Sequence, residues 1–451
     1  MLSFGTDGVR GRALTELTVA DVTTIGRAAG RVLGGGRWLI GRDTRESGPQ
    51  LTAAFAAGVG SGAVDLGVLP TPAIAFWSQR LGVPAAVITA SHNPWHDNGV
   101  KIFAAGGTKL PDDVERAIEA AIHDEAAVPA PLGRDQSERA GGDAGGQGGA
   151  EAVDHDAYLH HVLGGIGSLA GLRVVLDCAN GAMSLLAPEA FRRAGATATV
   201  IHDRPDGRNI NEACGATDAR SLADAVVREQ AQLGLAFDGD GDRVIAVDEH
   251  GTVVDGDRLI ALAALQLRDR CELVDDTVVV TVMSNLGFHR AMAAAGVRVL
   301  ATAVGDRYVL EALDRGGYAM GGEQSGHIIY RRLATTGDGL LAGLRLARHV
   351  LDAEAPMSTM AAAVMSTYPQ VLVNVHVAER HPHIARELAA DIDRAERRLA
   401  GEGRVLVRAS GTEPLVRVMV EAATSDLATA TAEALAQVVR DRFGPDVTDT
   451  E

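Results

Sequence analysis

Cysteine is scarce in this sequence. Its 451 residues include only Cys178, Cys214 and Cys271, which are far apart and form no CxxC pair. Three such cysteines cannot all pair within one chain, so the pattern argues against a disulfide framework. We expect the three thiols to be reduced and buried, with no part in the chemistry.

Long apolar runs and basic clusters are absent as well. No stretch of about eighteen apolar residues occurs, and the opening MLSFGTDGVRG lacks the basic flank and apolar core of a signal peptide. The net charge of −17 disfavours nucleic acid and anionic membranes as partners. We expect a cytoplasmic protein that binds neither. A small phosphorylated ligand fits if arginines and backbone amides gather at one place; whether the chain forms a homodimer stays open.

Lysine is nearly missing. Of the 42 Lys and Arg residues only two are lysine, Lys101 and Lys109, and both lie in one short segment. A genome biased toward arginine explains this scarcity without any function. The alternative is that the segment needs an amine, whose compact charge a guanidinium does not reproduce.

The sequence does contain a repeat. Residues 38–72, 174–207 and 278–309 each show an apolar strand, a polar turn, a helix ending near an Ala-Gly step, and a second strand. Repetition at a spacing near one hundred residues predicts three α/β domains of common design, with mostly parallel sheets, rather than a solenoid.

The C-terminal stretch differs from the repeat. An alternating strand VLVNVHV, a helical segment, two further strands and a capped helix predict a smaller α+β domain. The fold class is therefore α/β, with three similar mixed α/β domains and a smaller α+β C-terminal domain. The predicted boundaries are 1–153, 154–254, 255–366 and 367–451. The glycine-rich segment 133–150 is predicted to be a disordered surface loop.

The segment ITASHNPWHDNGVK begins as an apolar strand that stops at Ser91. Pro94 and the pair Asn98-Gly99 predict a turn after it. A hydroxyl held at a strand tip in a rigid loop is a favourable position for a nucleophile. A plain turn or capping serine is the competing interpretation. The predicted turn would fold Lys101 back toward the hydroxyl, whereas Lys109 is expected in a surface turn.

Three aspartates, Asp238, Asp240 and Asp242, alternate with glycines after an apolar stretch. Converging carboxylates repel one another unless a hard cation lies between them, and their oxygens suit Mg²⁺. An EF-hand is rejected because Arg243 stands where that loop needs glycine and because the flanks are predicted strands. A solvated acidic turn remains the alternative.

The segment AMGGEQSGHIIY predicts a polar hairpin tip. Glu323 and Ser325 lie two residues apart, a spacing that suits neighbouring sugar hydroxyls. A hairpin with no ligand fits the pattern nearly as well. His327 could equally be a structural histidine.

The segment RASGTEPLVRV predicts a phosphate cradle. Small residues around Gly411 let an anion approach the backbone amides, and guanidiniums can bind phosphate oxygens in pairs. The alternative is an ordinary hairpin with arginines on its outer face. Near the N-terminus, Arg10 stands in a similar glycine-bracketed turn.

Five motifs, GTDGVRG, TASHNPxxDNGVK, DGDGDR, GGEQSGH and RASGTEPxxRV, occur in this order across the chain. In this the sequence resembles the α-D-phosphohexomutase superfamily, which implies four domains around a central active-site cleft. Gln324, TTGDG (335–339) and VGDRYV (304–309) are similar to its branch acting on glucosamine phosphates. Its members acting on mannose and glucose phosphates usually carry methionine at the position of Gln324.

The resemblance implies an intramolecular phosphotransferase of the isomerase class. The expected reaction interconverts glucosamine 6-phosphate and glucosamine 1-phosphate through a phosphoserine enzyme and a 1,6-bisphosphate, and it feeds UDP-N-acetylglucosamine and cell-wall precursor synthesis. One Mg²⁺ per chain is implied, with a hexosamine 1,6-bisphosphate or a kinase as activator.

Each site residue follows from the motif that it matches. The implied catalytic residues are Ser91, Lys101 and Arg10. The implied metal ligands are Ser91, Asp238, Asp240 and Asp242. The implied substrate-binding residues are Arg243, Glu323, Ser325, Arg408, Ser410, Gly411, Thr412 and Arg417.

Three other functions compete with this one. A phosphomannomutase/phosphoglucomutase differs only in its sugar. A phosphatase would need more metal ligands, typically including histidine, and a water-accessible site. A noncatalytic sugar-phosphate sensor would need no nucleophile at Ser91.

Overall fold

The structure, a computed structural model, describes residues 4–5, 8–123, 153–410 and 413–444. The glycine-rich segment 133–150 lies outside these residues. By its contacts the chain divides into two units: Met1–Met283 with Val297–Ala362, and Ser284–Gly296 with Ala363–Glu451.

The strands are short and are spread over the described part of the chain. They are β1 (Val9–Arg12), β2 (Trp38–Arg42), β3 (Ala63–Val68), β4 (Ala85–Ile88), β5 (Asp97–Phe103), β6 (Arg173–Asp177), β7 (Thr197–Ile201), β8 (Leu233–Phe237), β9 (Val244–Asp248), β10 (Val253–Val254), β11 (Thr277–Thr281), β12 (Arg298–Thr302), β13 (Met320–Gly322), β14 (Ile328–Tyr330), β15 (Gln370–His376), β16 (Gly403–Ala409) and β17 (Leu415–Ala422).

Helices follow most of these strands. They are α1 (Val19–Val32), α2 (Gly48–Val59), α3 (Thr71–Leu81), α4 (Asp112–His123), α5 (His155–Leu163), α6 (Met183–Arg193), α7 (Arg220–Arg228), α8 (Gly256–Asp269), α9 (Leu286–Ala294), α10 (Asp306–Gly316), α11 (Gly339–Asp352), α12 (Met357–Val364), α13 (Ile384–Glu387), α14 (Ala389–Arg398) and α15 (Ser425–Phe443).

The first unit contains three mixed sheets, with strand orders β1-β5-β4-β2-β3, β10-β9-β8-β6-β7 and β12-β11-β13-β14. Each sequence repeat supplies one parallel strand pair: β2 with β3, β6 with β7, and β11 with β12. Along the chain these pairs are connected through α2, α6 and α9. The predicted fold class of three similar mixed α/β domains is therefore confirmed.

Central strands of these sheets are buried along their whole length. Every residue of β4, β8 and β9 is buried, which is typical of sheets covered on both faces and explains their continuous apolar runs. The helix α1 begins with a capping box, in which Thr18 and Asp21 bond each other's backbone amides, and its apolar face joins the core of the first sheet. These buried strands give the loops at their ends a fixed base.

The second unit is built on an antiparallel sheet, β15-β17-β16, with α14 and α15 packed on it. Its core is formed mainly by valines of the strands and alanines and leucines of α15, including Val375, Val418 and Leu435. The cap predicted for α15 is present, since Thr424 accepts a hydrogen bond from the amide of Leu427. The predicted α+β C-terminal domain is confirmed.

Two local predictions are wrong. Asn98 and Gly99 do not form a turn but lie inside β5, which runs antiparallel to β4, so the chain reverses earlier, between residues 89 and 96. Gly99 is needed there because a Cβ would lie 2.6 Å from the carbonyl oxygen of Thr89.

Cys271 is exposed, whereas the other two cysteines are buried as expected. Across the described ranges, no helix combines the length and the apolar character needed to span a bilayer.

Candidate active site

Ser91 lies in the loop that connects β4 to β5, and its side chain is buried. Its backbone has φ = +52°, in the left-handed region, which costs a non-glycine residue on the order of 1 kcal/mol. The hydroxyl donates to Oδ2 of Asp238 across 2.6 Å. The loop thus holds the serine in a strained conformation that aims its oxygen at the aspartate cluster, which is the situation expected of a functional residue.

Buried polar side chains hold this loop in place. The Ser91 amide donates to the Thr89 hydroxyl at 2.8 Å, and Thr89 donates to Asp43 at 2.6 Å. Arg45 forms an ion pair with Asp43 at 2.9 Å and donates to the carbonyl oxygens of Ser91 at 3.0 Å and of Asn93 at 2.8 Å. Because every one of these contacts is buried or partly buried, the position of the hydroxyl is set by the domain core rather than by the loop alone.

The three aspartates lie in the loop between β8 and β9, and all three are buried. One carboxylate oxygen from each lies within 4.8 Å of the others. Burial raises the pKa of Asp238 well above its usual value, and the charges of Asp242 and Asp240 raise it further. Such a cluster is unstable electrostatically without cations.

The cluster fits a divalent cation. Oδ1 of Asp240 and Oδ1 of Asp242 are buried without a hydrogen-bond partner among the described residues. The Lys101 ammonium bonds both of these aspartates through Oδ2, at 2.7 and 2.9 Å. Three carboxylates and one ammonium leave about two negative charges, which Mg²⁺ with its preference for carboxylate oxygens would balance. The solvated acidic turn is excluded, because the cluster is buried.

Lys101 and Ser91 therefore both form hydrogen bonds with the aspartate cluster. Lys101 lies on β5 opposite Val87 of β4, so antiparallel pairing returns its side chain toward the loop that carries the serine. Its side chain is only 5% exposed. The expectation that this lysine lies near the serine agrees with the geometry, although strand pairing rather than an Asn-Gly turn brings it there.

Two arginines lie close to the serine loop. The ring of His92, the residue after Ser91, is 3.4 Å from the Ser91 hydroxyl. The pKa of His92 is lowered to about 4, mainly by burial and in addition by the nearby charges of Arg243 and Arg10. The amide of Arg243 also donates to Asp238 at 3.1 Å. Positive charge is thus concentrated beside the serine, against the acidic charge of the whole chain.

The predicted polar hairpin is formed by β13 and β14, with residues 323–327 at its tip. Glu323 is partly buried and its Oε1 accepts from the amide of Gly305 at 3.1 Å, while Ser325 is exposed. Burial raises the pKa of Glu323. Both side chains are available in one short loop, as a sugar-binding function requires.

His327 connects this hairpin to the aspartates. Its Nδ1 lies 3.6 Å from Oδ1 of Asp242, and its Nε2 lies 3.4 Å from Oδ2 of Asp306. The amide of Gly337 donates to Nε2 at 3.1 Å, which places the ring proton of a neutral histidine on Nδ1, facing Asp242. Burial lowers the pKa of His327, but the carboxylates around it outweigh this and raise it overall.

The prediction that Lys109 lies in a surface turn is wrong. Its side chain is 12% exposed and its ammonium is 2.5 Å from Oδ1 of Asp306, at the first turn of α10. The position before Pro111 misled the prediction, because the sequence does not show that a distant carboxylate holds this lysine in a partly buried ion pair.

The predicted phosphate loop belongs to the second unit. Arg408 on β16 lies opposite Arg417 on β17, and the Ser410 amide closes the hairpin by donating to Leu415 at 2.7 Å. Burial lowers the pKa of Arg408, and the charge of Arg417 lowers it further. Nε of Arg417 is buried without a hydrogen-bond partner in the described ranges. Two adjacent guanidiniums of this kind suit an anion. Gly411 and Thr412 lie outside the described residues.

Sequence reasoning missed several residues around the serine. Besides His92 and Arg45, they include Asn211, whose side-chain amide donates to the Ser91 carbonyl at 2.9 Å, and Thr71, whose hydroxyl donates to Asp240 at 2.7 Å. His92 had a signal, since it adjoins the candidate nucleophile. The others come from distant parts of the sequence and carry no motif.

Comparisons with known proteins agree with this geometry. Models of the phosphoglucomutase/phosphomannomutase domains match in order: α/β/α domain I over residues 1–128, α/β/α domain II over 156–251, α/β/α domain III over 255–368, and the C-terminal domain over 372–438. The chain therefore belongs to this family, within the α-D-phosphohexomutase superfamily, and is an isomerase-class phosphohexomutase.

Proteins named phosphoglucosamine mutase are similar to this chain over almost its whole length. The protein of that name from Rhodococcus opacus (strain B4) is 50% identical, over 97% of this chain and 98% of the relative. The one from Frankia casuarinae is 49% identical, over 98% of this chain and 99% of the relative.

Solved structures share the fold over almost the whole chain. A phosphoglucomutase/phosphomannomutase family protein from Burkholderia thailandensis has a TM-score of 0.78 at 22% identity, covering 98% of each chain. The Aspergillus fumigatus N-acetylphosphoglucosamine mutase in complex with GlcNAc-6P and magnesium has a TM-score of 0.68 at 18% identity, covering 98% of this chain and 96% of that one.

Proposed function

We propose that this chain interconverts glucosamine 6-phosphate and glucosamine 1-phosphate through a phosphorylated Ser91 and a 1,6-bisphosphate intermediate. One observation carries the proposal: the buried Ser91 hydroxyl and the Lys101 ammonium both bond one cluster of three buried aspartates. A nucleophile, a compact cation and carboxylates with unsatisfied oxygens are the parts that phosphoryl transfer requires.

In the first half-reaction, a sugar hydroxyl attacks the phosphorus of phospho-Ser91. The bond between phosphorus and the Ser91 oxygen breaks, a bond to the sugar oxygen forms, and the proton of the sugar hydroxyl ends on Ser91. The second half-reaction reverses these steps with the other phosphate of the bisphosphate, so that Ser91 is phosphorylated again. The substrate and the product then have the same atoms, and the enzyme is unchanged.

The chain's own groups have distinct tasks in these steps. Asp238, Asp240 and Asp242, with an oxygen of phospho-Ser91, would hold one Mg²⁺ per chain, which when bound neutralises charge on the transferring phosphoryl group. Lys101 is placed to balance the same charge or to pass a proton between the two oxygens. The positive charge of Arg10 lies beside the serine and orients the phosphoryl group.

Substrate contacts are assigned to the remaining predicted residues. We infer that Glu323 and Ser325 bind sugar hydroxyls and that Arg243 binds near the reacting phosphate. The phosphate that is not transferred would be bound by Arg408, Ser410, Gly411, Thr412 and Arg417.

The choice of glucosamine phosphate rests on the relatives. Full-length phosphoglucosamine mutases are about half identical to this chain, and the reaction that they are named for would supply UDP-N-acetylglucosamine and cell-wall precursors. Activation is expected from a hexosamine 1,6-bisphosphate or from a kinase that phosphorylates Ser91. A homodimer and a cytoplasmic location remain predictions.

The test is a direct assay of interconversion. Purified protein is given Mg²⁺, a trace of glucosamine 1,6-bisphosphate and each of glucosamine, glucose and mannose 6-phosphate, and products are followed by ³¹P NMR. We expect the glucosamine phosphates to interconvert fastest. Faster turnover of mannose or glucose phosphate would identify a phosphomannomutase/phosphoglucomutase instead, and release of inorganic phosphate would identify a phosphatase.

A further inference from the structure

Lys109 forms a partly buried ion pair with a residue far away in sequence. Its ammonium is 2.5 Å from Oδ1 of Asp306, and the two side chains are 12% and 5% exposed. Lys109 follows β5, to which it is tied by a bridge with Phe103, whereas Asp306 begins α10. The pair thus connects the segment that follows Lys101 to the VGDRYV loop.

Asp306, the acidic member of this pair, and the preceding Gly305 also lie close to the hairpin that carries Glu323. Oδ2 of Asp306 lies 3.4 Å from the His327 ring, and the amide of the preceding Gly305 donates to Glu323 at 3.1 Å. Gly305 has φ = +129°, a conformation that favours glycine, so this residue allows the turn that points its amide at Glu323. Two contacts therefore pass from one short loop to both polar ends of the hairpin.

The charge of Lys109 also compensates a crowded acidic site. Asp306 and Glu323 are close enough that the charge of Asp306 raises the pKa of Glu323, in addition to the larger effect of burial. Removing the ammonium would leave Asp306 buried beside this second carboxylate. The resulting repulsion would push the loop away from the hairpin and so strain the hydrogen bond between Gly305 and Glu323 that connects them.

We propose that Lys109 is a positioning residue for sugar binding: through Asp306 it holds the loop whose Gly305 amide donates to Glu323, and so keeps the hairpin in its binding geometry. This inference rests on the proposed function. It also relates the two lysines of the chain to one histidine. Lys101 bonds Asp242 and Lys109 bonds Asp306, and these two carboxylates lie on opposite sides of the His327 ring.

The neighbouring residue provides a matched control. Arg307 pairs with Asp112 and Glu115 at the start of α4, so it joins the same two segments, but these bonds involve neither Asp306 nor the hairpin. A role limited to holding the segments together predicts equal effects from losing Lys109 and losing Arg307. A positioning role predicts different effects.

The experiment compares Lys109→Met with Arg307→Met by steady-state kinetics on glucosamine 6-phosphate. We expect Lys109→Met to raise KM about tenfold with kcat within about threefold, because a sugar contact made equally in the ground and transition states is weakened. Arg307→Met should lower the melting temperature but change KM by less than about twofold. The Mg²⁺ concentration for half-maximal rate should be the same in both variants, since neither residue bonds the aspartate triad.

A double variant guards against misfolding. Lys109→Met with Asp306→Asn removes both charges of the pair and leaves no buried unpaired carboxylate, so it should fold and should have a lower KM than Lys109→Met alone. An unchanged KM in Lys109→Met, equal KM increases in Lys109→Met and Arg307→Met, or a shifted Mg²⁺ dependence would each overturn the proposal. If wild type instead turns over only glucose or mannose phosphate, the proposed function fails alone, and the same variants are compared on that sugar.

Discussion

The Ser91 hydroxyl donates to the carboxylate of Asp238 across 2.6 Å, although 147 residues separate the two in the chain. Each lies at the end of a fully buried strand, β4 and β8 respectively. The Asn211 side chain, which comes from the same domain as Asp238, also donates to the Ser91 carbonyl. Two rigid sheets thus bring a nucleophile to a cation site with little freedom for either to move.

Ser91 is expected to carry a phosphoryl group in part of the purified protein. The Lys101 ammonium, the arginines beside the serine and a cation held by the aspartates would provide the charge compensation that a phosphoserine needs. Intact mass spectrometry should show a species about 80 Da heavier, and incubation with the 1,6-bisphosphate should increase it. In Ser91→Ala this species should disappear together with mutase activity. Persistent activity in that variant would contradict the covalent route.

Asp240→Asn should impair magnesium use far more than folding. Removing one of three mutually repelling buried carboxylates relieves repulsion, while it takes away one candidate cation ligand. Thr71 and Lys101 both bond Oδ2 of Asp240, and an amide can keep part of those contacts. We expect a rate loss that rising Mg²⁺ partly restores, with the melting temperature nearly unchanged. The same rate as wild type at limiting Mg²⁺ would refute the metal assignment.

Much of the fold could be predicted from the sequence because its strands are continuous apolar runs. The runs that form β4, β8 and β9 are buried on both faces, and such runs are recognisable without knowing their neighbours. The repeat then predicted which strands pair in parallel. Asn98-Gly99 was misread because that pair usually marks a turn, whereas here Gly99 admits the close approach of the Thr89 carbonyl.

The candidate site was predictable only where its residues lie in motifs. The spacing of Asp238, Asp240 and Asp242 predicts a cation site. Arg45 and Asn211, by contrast, bond the serine loop from distant parts of the sequence. Nothing local marks such residues, because their partners are set by the packing of whole domains. The same reason explains the error at Lys109, whose carboxylate partner lies 197 residues away.

Asp338 should make the protein less stable as the pH rises from about 4 to about 6. Burial raises its pKa to about 6 in the folded chain, while the unfolded value is near 3.9. Over that interval the folded state binds more protons than the unfolded state, so stability falls with rising pH, by an amount on the order of 3 kcal/mol. Below pH 4 both states are protonated and the effect vanishes.

Asp338→Asn isolates this contribution. Asparagine can keep the cap of α11, in which residue 338 accepts from the Leu341 amide at 2.9 Å, while its side-chain NH2 group can donate to the Tyr158 oxygen, which donates to Asp338 in the wild type. Melting temperatures are measured by circular dichroism at pH 4.5 and pH 7. The value at pH 4.5 minus the value at pH 7 should be several degrees lower in the variant than in wild type, because the variant lacks the contribution that favours the lower pH. Equal differences in the two proteins would show that Asp338 titrates normally.

Lys101→Arg should lower kcat at least about tenfold, or about 1.4 kcal/mol of barrier. The Lys101 ammonium fits between Asp240 and Asp242 at 2.7 and 2.9 Å in a site where its side chain is 5% exposed. A guanidinium keeps the charge, but it is larger, planar and unable to exchange a proton near neutral pH. It would have to displace the carboxylates that are needed for the cation.

The control for this change must lie elsewhere than Lys109, because that lysine is also held in a largely enclosed ion pair, with its side chain 12% exposed. The reverse substitution Arg192→Lys is suitable, since the Arg192 side chain is 70% exposed and pairs only at the surface with Glu189. It should leave kcat within about twofold. Circular dichroism should confirm that Lys101→Arg is folded. If that variant is folded and keeps full activity, the lysine at this position reflects composition rather than chemistry, and the charge on the phosphoryl group must be balanced by the arginines beside Ser91.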